Sequence, residues 1–356
     1  MLAGIGGRSI VTLAGGSAAI SVLARRRADY NEGHPATLPI SSDLPLSEPV
    51  TFTDPDYFDC EPSLNSDEAA HFKREGFIVK RGLIDDTEIF QKVVDFIWTK
   101  VPRGLLRRED SDTWINPADD DWTEADSLKV GMLARDNWKI RSKGPSGIGT
   151  EALLIDGIAN HPNVRQVVTA LIGAPVRPAR RVRGVYCIFP SSPGTENRYN
   201  AHVDYISSHV AAMVLVDEIG PGCGGFMFWP GSHTSLHPYW QTVHGSGMDV
   251  EQAEPFRAAK EQTLRETIPL EFTGSAGDVI FWHPRALHSA GINRSAELGA
   301  PMVRPIIPCD FQRDGLTYVD EPDFGPGEAF QWWIDTRNVA EDPPATPNNM
   351  WDDWAI

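Results

Sequence analysis

The feature that most constrains the fold is a run of short β-favouring segments in the second half of the chain. Turns rich in Pro and Gly separate them. The predicted strands cover residues 182–189, 210–216, 225–229, 268–272, 278–282 and 303–310. Predicted helices precede them at residues 66–75, 86–100, 151–158 and 163–172. Helices followed by many short strands favour a mainly β fold with flanking helices, a double-sheet barrel such as a jelly roll.

Composition divides the chain into four parts. Residues 1–28 contain four arginines and no acidic residue, which is typical of a targeting leader, a weak anchor or a disordered leader. Residues 29–55 are rich in Pro, Ser and Asp and are expected to form a linker or surface arm. A single domain is expected at residues 56–335, helical to about residue 180 and barrel-like at about 181–315. Residues 336–356 form an acidic tail rich in Pro and Asn.

Charge and hydropathy narrow the class of partner. The 32 basic and 49 acidic residues give a net charge of -17, which disfavours binding to nucleic acid. No apolar run outside the N-terminal region reaches the roughly 18 residues of a membrane span. We therefore expect an enzyme that acts on a small-molecule substrate. Its location would be cytoplasmic, or mitochondrial or plastid if the N-terminus is a transit peptide, and no feature indicates an oligomeric state.

The four cysteines lie far apart and form no CxxC pair. This spacing favours reduced thiols, with one or two disulfides as the alternative. Any metal site is therefore expected to use histidines and carboxylates.

The tripeptide His202-Val203-Asp204 is a candidate metal-binding motif. On an extended backbone, residues i and i+2 face the same side with Cα atoms about 6.6 Å apart, so both side chains can reach one ion. His288, which ends a predicted turn and buried strand at residues 277–288, is the expected third ligand. Two histidines and one carboxylate leave three positions open on an octahedral ion, as in iron(II) oxygenases.

Five other histidines are alternative ligands. His233, in a turn, is expected to be a structural hydrogen-bonding residue, and His237 and His244 are expected at the surface. His283, five residues before His288 with Pro284 between them, is an alternative third ligand in place of His288. His209 is a candidate for orienting a ligand or the substrate.

Three ordered motifs resemble the phytanoyl-CoA dioxygenase family. They are Gly-Gly-Phe-Met-Phe-Trp-Pro-Gly-Ser-His at 224–233, Gly-Asp-Val-Ile-Phe at 277–281 and Leu-His-Ser-Ala-Gly-Ile-Asn at 287–293. Residues 72–82 resemble the entry helix and strand of that family, and the likeness covers about residues 66–315. The resemblance implies a double-stranded β-helix barrel of the cupin-like type, iron(II) bound by His202, Asp204 and His288, 2-oxoglutarate as co-substrate and O2.

The resemblance also implies an arginine that binds the distal carboxylate of 2-oxoglutarate, since the planar fork of Arg pairs with two oxygens at once. In the family this arginine comes some eleven residues after the distal histidine. Arg304 lies sixteen residues beyond His288 at the start of a predicted strand, and it fits if residues 296–301 are an insertion. Arg294, six residues beyond, is the alternative. Tyr186, on the first predicted barrel strand, is also expected to bind the co-substrate.

The implied reaction is oxidation of an unactivated C–H bond, most simply hydroxylation, with decarboxylation of 2-oxoglutarate to succinate. The Asp204 carboxylate argues against halogenation, because the resembling halogenating enzymes lack that ligand, but it leaves desaturation and ring chemistry open. A redox-silent cupin-like isomerase or hydrolase is one alternative. A non-catalytic binding protein is another, although it would be expected to have lost part of the triad.

The sequence does not identify the substrate. The arginines at 177, 180, 181 and 183 are candidates to meet a phosphate or carboxylate, or to form a solvated strand edge paired with some of the 49 acidic residues. Trp114, Trp122 and Trp138 are candidates to line a substrate pocket or to belong to the core.

Overall fold

This computed structural model describes residues 44, 46–101, 106–115, 139–141, 148–194, 200–204, 208–239, 250–315 and 346–356, with backbone only at 139–141 and 250–253. The predicted leader at 1–28 lies outside these ranges and stays a prediction. None of the helices within them is long and apolar enough to cross a membrane. All four cysteines are free thiols, as the sequence predicts.

The described residues form a mainly β structure with flanking helices. The helices are α1 (Ser66–Glu75), α2 (Thr87–Lys100), α3 (Ala152–Leu154), which continues as a π-helical turn (Ile155–Ala159), α4 (Pro162–Ile172), α5 (Ser232–Leu236) and α6 (Val250–Glu266). The strands are β1 (Val50–Thr51), β2 (Phe77–Lys80), β3 (Lys139–Arg141), β4 (Gly184–Ile188), β5 (Val210–Leu215), β6 (Phe226–Phe228), β7 (Leu270–Phe272), β8 (Val279–Trp282), β9 (His288–Ala290) and β10 (Arg304–Phe311).

Helix α1 has well-formed ends. The Asn65 side chain accepts hydrogen bonds from the backbone N–H groups of Asp67 and Glu68, and the Glu68 carboxylate accepts from the Asn65 N–H at 3.0 Å. Gly76 ends the helix with φ of 83°, and a Cβ there would lie 2.5 Å from Nδ1 of His233. Glycine is therefore required here, because the backbone is left-handed and because a side chain would clash with His233. The chain turns directly into β2, as predicted.

Helices α2, α3 and α4 cover the outer face of the larger sheet. Asp86 caps α2, and Pro162 occupies the first turn of α4. Val167 of α4 belongs to the same apolar cluster as Val214 of β5 and Phe281 of β8. The four helices predicted from the sequence before residue 180 are present, with ends that differ by a few residues.

Two sheets make the barrel. The larger has the order β2-β8-β5-β10-β4-β3, and its strand pairs are antiparallel. The smaller has the order β1-β7-β6-β9, with β1 parallel to β7 and the other pairs antiparallel. An isolated bridge between His202 and His288 continues the smaller sheet beyond β9.

The chain passes repeatedly between the two sheets. It runs from β4 through the His202 bridge to β5, then to β6 and β7 in the smaller sheet, β8 in the larger, β9 in the smaller and β10 in the larger. This winding is that of a double-stranded β-helix, the jelly-roll or cupin-like barrel. The predicted fold class is confirmed.

Strand alternation separates the barrel interior from the helix-facing core. Ile280 and Trp282 of β8 belong to the interior cluster, whereas Val279 and Phe281 belong to the cluster under the helices. Phe226 of β6 meets Trp282 in the interior, with ring centroids 4.7 Å apart.

Two features were not predicted from the sequence. Residues of the expected arm add β1 to the smaller sheet, and Phe52 packs against Phe77 with ring centroids 5.2 Å apart. At the other end, Trp351 and Trp354 of the predicted tail pack against Phe72. The last residues of the chain therefore belong to the folded body of the protein.

Candidate metal centre

His202 and His288 are neighbours across the smaller sheet. Each backbone N–H donates to the carbonyl oxygen of the other, at 2.9 and 3.0 Å, and the ring centroids lie 4.5 Å apart. Asp204 places Oδ2 3.4 Å from Nε2 of His288 and Oδ1 3.8 Å from Nε2 of His202. One ligand atom from each residue lies within 4.8 Å of the others. The H-x-D segment and the distal histidine thus meet at one point, and this set could hold a metal ion.

Both imidazoles present the same nitrogen to this point. Nδ1 of His202 lies 2.6 Å from the carbonyl oxygen of Asn200, and Nδ1 of His288 lies 3.0 Å from that of Ala286. A carbonyl oxygen only accepts, so each Nδ1 carries the proton and each Nε2 keeps a lone pair. The His288 side chain is 4% exposed and that of His202 is 30% exposed, so the cluster faces solvent on the His202 side.

Arg183 neutralises the carboxylate of the cluster. Its Nη1 donates to Oδ2 of Asp204 at 2.7 Å, and the rest of its guanidinium pairs with Asp310. Burial alone would raise the pKa of Asp204, but the Arg183 guanidinium outweighs it and holds that pKa well below its ordinary value. The expected pairing with acidic residues is present for Arg183, but its side chain is only 10% exposed, so the expected solvent exposure is wrong for this residue.

Arg304 opens β10 and is 1% exposed. Its Nη1 donates to the carbonyl oxygen of Tyr186 at 3.4 Å, and its Nε has no hydrogen-bond partner among the described residues. Burial lowers the pKa of Arg304 to about 9. A guanidinium buried without a carboxylate partner in the described part of the chain is suited to an anionic ligand.

Arg294 and Tyr186 are the other two candidate co-substrate residues. The Arg294 side chain is 44% exposed and its Nη1 lies 3.5 Å from Oε2 of Glu48, so this arginine points to the surface. Tyr186 lies on β4, and its half-buried side chain packs against the interior cluster near Ile306.

The family model described as phytanoyl-CoA dioxygenase (PhyH) matches residues 72–298, more than half of the chain. The chain belongs to this family. The match confirms the resemblance drawn from the motifs at 224–233, 277–281 and 287–293. No curated protein matches the sequence.

Several solved structures are similar to this member of the phytanoyl-CoA dioxygenase family. The α-ketoglutarate-dependent carbocyclase SnoK from nogalamycin biosynthesis is 16% identical, with 81% of this chain and 98% of that chain covered and a TM-score of 0.49. EctD from S. alaskensis, solved with 2-oxoglutarate and 5-hydroxyectoine, is 16% identical, with 86% and 97% covered and a TM-score of 0.47. AviO1 from Streptomyces viridochromogenes is 17% identical, with 71% and 96% covered and a TM-score of 0.41. Since these scores are below 0.5, the fold assignment rests on the strand order of this chain itself.

The glycines of the family motifs allow close packing beside His288. A Cβ on Gly225 would lie 2.5 Å from the carbonyl oxygen of Phe272, and one on Gly291 would lie 2.4 Å from that of Gly225. The buried Glu271 carboxylate accepts hydrogen bonds from the N–H groups of Gly222 and Gly225, at 2.8 and 2.9 Å. Glu271 was not among the predicted site residues, although an acidic residue within a predicted strand was a signal for such a role.

Aromatic rings fix the position of His288. The rings of Phe226 and Trp282 lie with centroids 5.5 and 5.7 Å from that of His288. Both belong to predicted strands, but the sequence did not place them beside the candidate ligand.

The rival histidines do not join the cluster. His233 is buried and its Nε2 bonds the carbonyl oxygen of Lys73 at 3.0 Å, as expected of a structural residue. The surface prediction is wrong for His237, which is 3% exposed because Asn349 and Arg285 pack on it. His244 lies outside the described ranges.

The remaining two histidines face the end of the chain. His283 is buried with its ring against Trp354, so it is not a replacement ligand. Nε2 of His209 lies 3.3 Å from Oδ2 of Asp353, and Nδ1 of His209 accepts from the Arg313 N–H at 3.4 Å. The ring of His209 is therefore engaged by Asp353 and Arg313 rather than by the candidate metal ligands, and a role in orienting the substrate stays a prediction.

Trp114 belongs to the helical part. Its ring lies 5.7 Å from that of Trp98 in α2, and its Nε1 donates to the carbonyl oxygen of Arg107. Pocket lining is therefore not supported for Trp114. Trp122 and Trp138 are outside the described residues.

Proposed function

We propose that this chain is an iron(II)- and 2-oxoglutarate-dependent dioxygenase that oxidises a C–H bond of a small organic molecule, most simply by hydroxylation. Membership of the phytanoyl-CoA dioxygenase family supports the reaction class. The observation that carries the proposal is the convergence of His202, Asp204 and His288 in the barrel.

The donor set fits iron(II). Two neutral imidazole nitrogens and one carboxylate oxygen are the facial triad of non-haem iron oxygenases. In this chain His202 and His288 would bind through Nε2, since Nδ1 of each is engaged by a backbone carbonyl. Asp204 would supply the negative charge, which Arg183 keeps ionised.

Arg304 supports 2-oxoglutarate as the co-substrate. A metal-bound keto acid has a second carboxylate that needs a cation, and Arg304 is buried with Nε unpartnered among the described residues. Arg294 is exposed and lies beside Glu48, so it is the weaker candidate. Tyr186, whose carbonyl oxygen orients Arg304, would act through that arginine.

Iron(II) with 2-oxoglutarate and O2 supplies an oxidant strong enough for an unactivated C–H bond, with succinate and CO2 as by-products. The chain's own residues would bind the metal ion and orient the keto acid. Phe226 and Trp282 shield His288 from water within the barrel, and Arg304 would fix the keto acid by its distal end.

A redox-silent isomerase or hydrolase on the same barrel is the second candidate. It would use the same three ligands but would have no need of a buried arginine for a dicarboxylate. Arg304 therefore favours the oxygenase.

The deciding experiment measures succinate from 2-oxoglutarate with purified protein, iron(II), O2 and a library of small molecules. We expect succinate to form, to require O2 and to be absent with the His288→Ala variant. A product heavier than its substrate by one oxygen atom would establish hydroxylation. No succinate with any substrate, together with no binding of 2-oxoglutarate, would refute the proposal.

A further inference from the structure

Arg183 divides its guanidinium between two carboxylates. Its Nε and Nη2 donate to Oδ2 and Oδ1 of Asp310 at 2.6 and 2.5 Å, the paired geometry typical of Arg and a carboxylate. Its Nη1 donates to Oδ2 of Asp204 at 2.7 Å. Asp310 thus occupies two nitrogens of the fork and leaves one for Asp204.

Both members of the Arg183–Asp310 pair are fixed by the larger sheet. The Arg183 backbone N–H donates to the carbonyl oxygen of Pro308 at 3.2 Å, and Asp310 pairs with Ala211 in the ladder of β10 and β5. Asp204 belongs instead to the segment that bridges to the smaller sheet through His202. The guanidinium therefore connects a rigid sheet to the candidate metal ligand.

Arg183 donates a hydrogen bond to only one of the two carboxylate oxygens of Asp204. Oδ2 receives the hydrogen bond and lies 3.4 Å from Nε2 of His288, while Oδ1 lies 3.8 Å from Nε2 of His202. If Asp310 did not hold two of its nitrogens, Arg183 could turn its fork onto both oxygens of Asp204, which would compete with a metal ion.

We propose that Asp310 and Arg183 form a bracket that presents Asp204 to the metal through a single oxygen. In this bracket Asp310 acts only through Arg183, and Arg183 is a positioning residue for Asp204. The inference rests on the proposed function, because it takes the His202, Asp204 and His288 cluster as the metal site.

The test is a double-mutant cycle on metal affinity. Cobalt(II) serves as an air-stable probe, titrated without 2-oxoglutarate into wild type, Arg183→Gln, Asp310→Asn and the double variant. Loss of a group that orients a ligand costs about 10-fold to 100-fold in metal affinity, so each single variant should bind at least about tenfold more weakly. The cobalt(II) affinity of the double variant should match that of Arg183→Gln within about twofold, because Asp310 acts only through the Arg183 guanidinium, which both variants lack.

Three controls keep the result interpretable. Arg177→Gln changes an arginine that contacts Gln312 and should leave the affinity unchanged. Arg183→Lys keeps the charge and one donor, and should recover part of the loss. Thermal unfolding of each metal-free variant identifies a variant that has failed to fold. If Arg183→Gln fails to fold, Arg183→Lys replaces it in the cycle, alone and combined with Asp310→Asn.

The outcomes separate the two proposals. Tighter or unchanged cobalt(II) binding by folded Arg183→Gln, or additive losses in the double variant, would overturn the bracket. Wild-type binding no tighter than that of His202→Ala would instead overturn the metal site, and with it the proposed function.

Discussion

The ring of Trp354 stacks on that of His283, with centroids 5.3 Å apart and planes at 18°. His283 directly follows β8 and lies five residues before His288. Close by, Asp353 lies 3.3 Å from the ring of His209, five residues after Asp204. The end of the chain therefore packs behind both stretches that carry the candidate metal ligands.

Replacing Trp354 with Ala is expected to lower the free energy of unfolding by about 2 to 3 kcal/mol, because the half-buried indole leaves a gap against His283 and Phe72. Urea unfolding followed by circular dichroism measures the change. Trp354→Phe keeps an aromatic ring on His283 and should lose less than half as much. Equal stability of the Ala variant and wild type would mean that the C-terminal segment does not stabilise the fold.

Stability is expected to fall in mild acid because His233 is buried. Burial lowers its pKa from 6.5 to about 4, so below about pH 6.5 the unfolded chain binds a proton that the folded ring does not. The contribution is complete above about pH 7 and is lost as the pH falls towards 4. His233 alone should cost about 2 kcal/mol between pH 7.5 and pH 5.

The measurement is urea unfolding at both pH values for wild type and His233→Gln. The variant lacks the titrating ring and should lose about 2 kcal/mol less than wild type over this interval. Parallel losses in the two proteins would show that His233 is not the source of the acid sensitivity.

The fold and the triad could be predicted because their signals are local. β-favouring segments between turn residues marked the barrel strands, and the H-x-D spacing placed His202 and Asp204 on one side of the backbone. The family motifs around His288 supported it as the third ligand. The pairing of Arg183 with Asp204 and Asp310 could not be predicted, since it joins residues up to 127 positions apart.

Burial was equally hard to predict where distant segments cover a residue. His237 lies in a polar stretch but becomes buried when Asn349, from the end of the chain, packs on it. For Arg304 and Arg294, by contrast, the local sequence pattern did indicate which side chain is buried. Strand alternation at the start of β10 turned Arg304 inward, whereas Arg294 lies in a turn where no periodicity applies.

Alanine in place of His202, Asp204 or His288 should abolish iron-dependent turnover without unfolding the barrel. Each change removes a ligand atom from the cluster, while the large apolar cores stay intact. Succinate formation and thermal unfolding are measured on each variant, with His209→Ala as a matched control outside the cluster. Full activity of any folded ligand variant would remove that residue from the proposed site.

Arg304→Met is expected to change stability and binding in opposite directions. Arg304 is buried with no carboxylate partner among the described residues, so an apolar side chain of similar length should leave the 2-oxoglutarate-free protein as stable as wild type or more stable. Loss of a charge-assisted contact to a buried anion costs about 2 to 5 kcal/mol, so the apparent KM for 2-oxoglutarate should rise roughly 30-fold or more. Arg294→Met changes an exposed arginine and should alter neither quantity. Thermal unfolding and 2-oxoglutarate titration at saturating iron(II) measure both. The opposite ranking of the two variants would move the anchor to Arg294, and unchanged KM in both would remove the main support for this co-substrate.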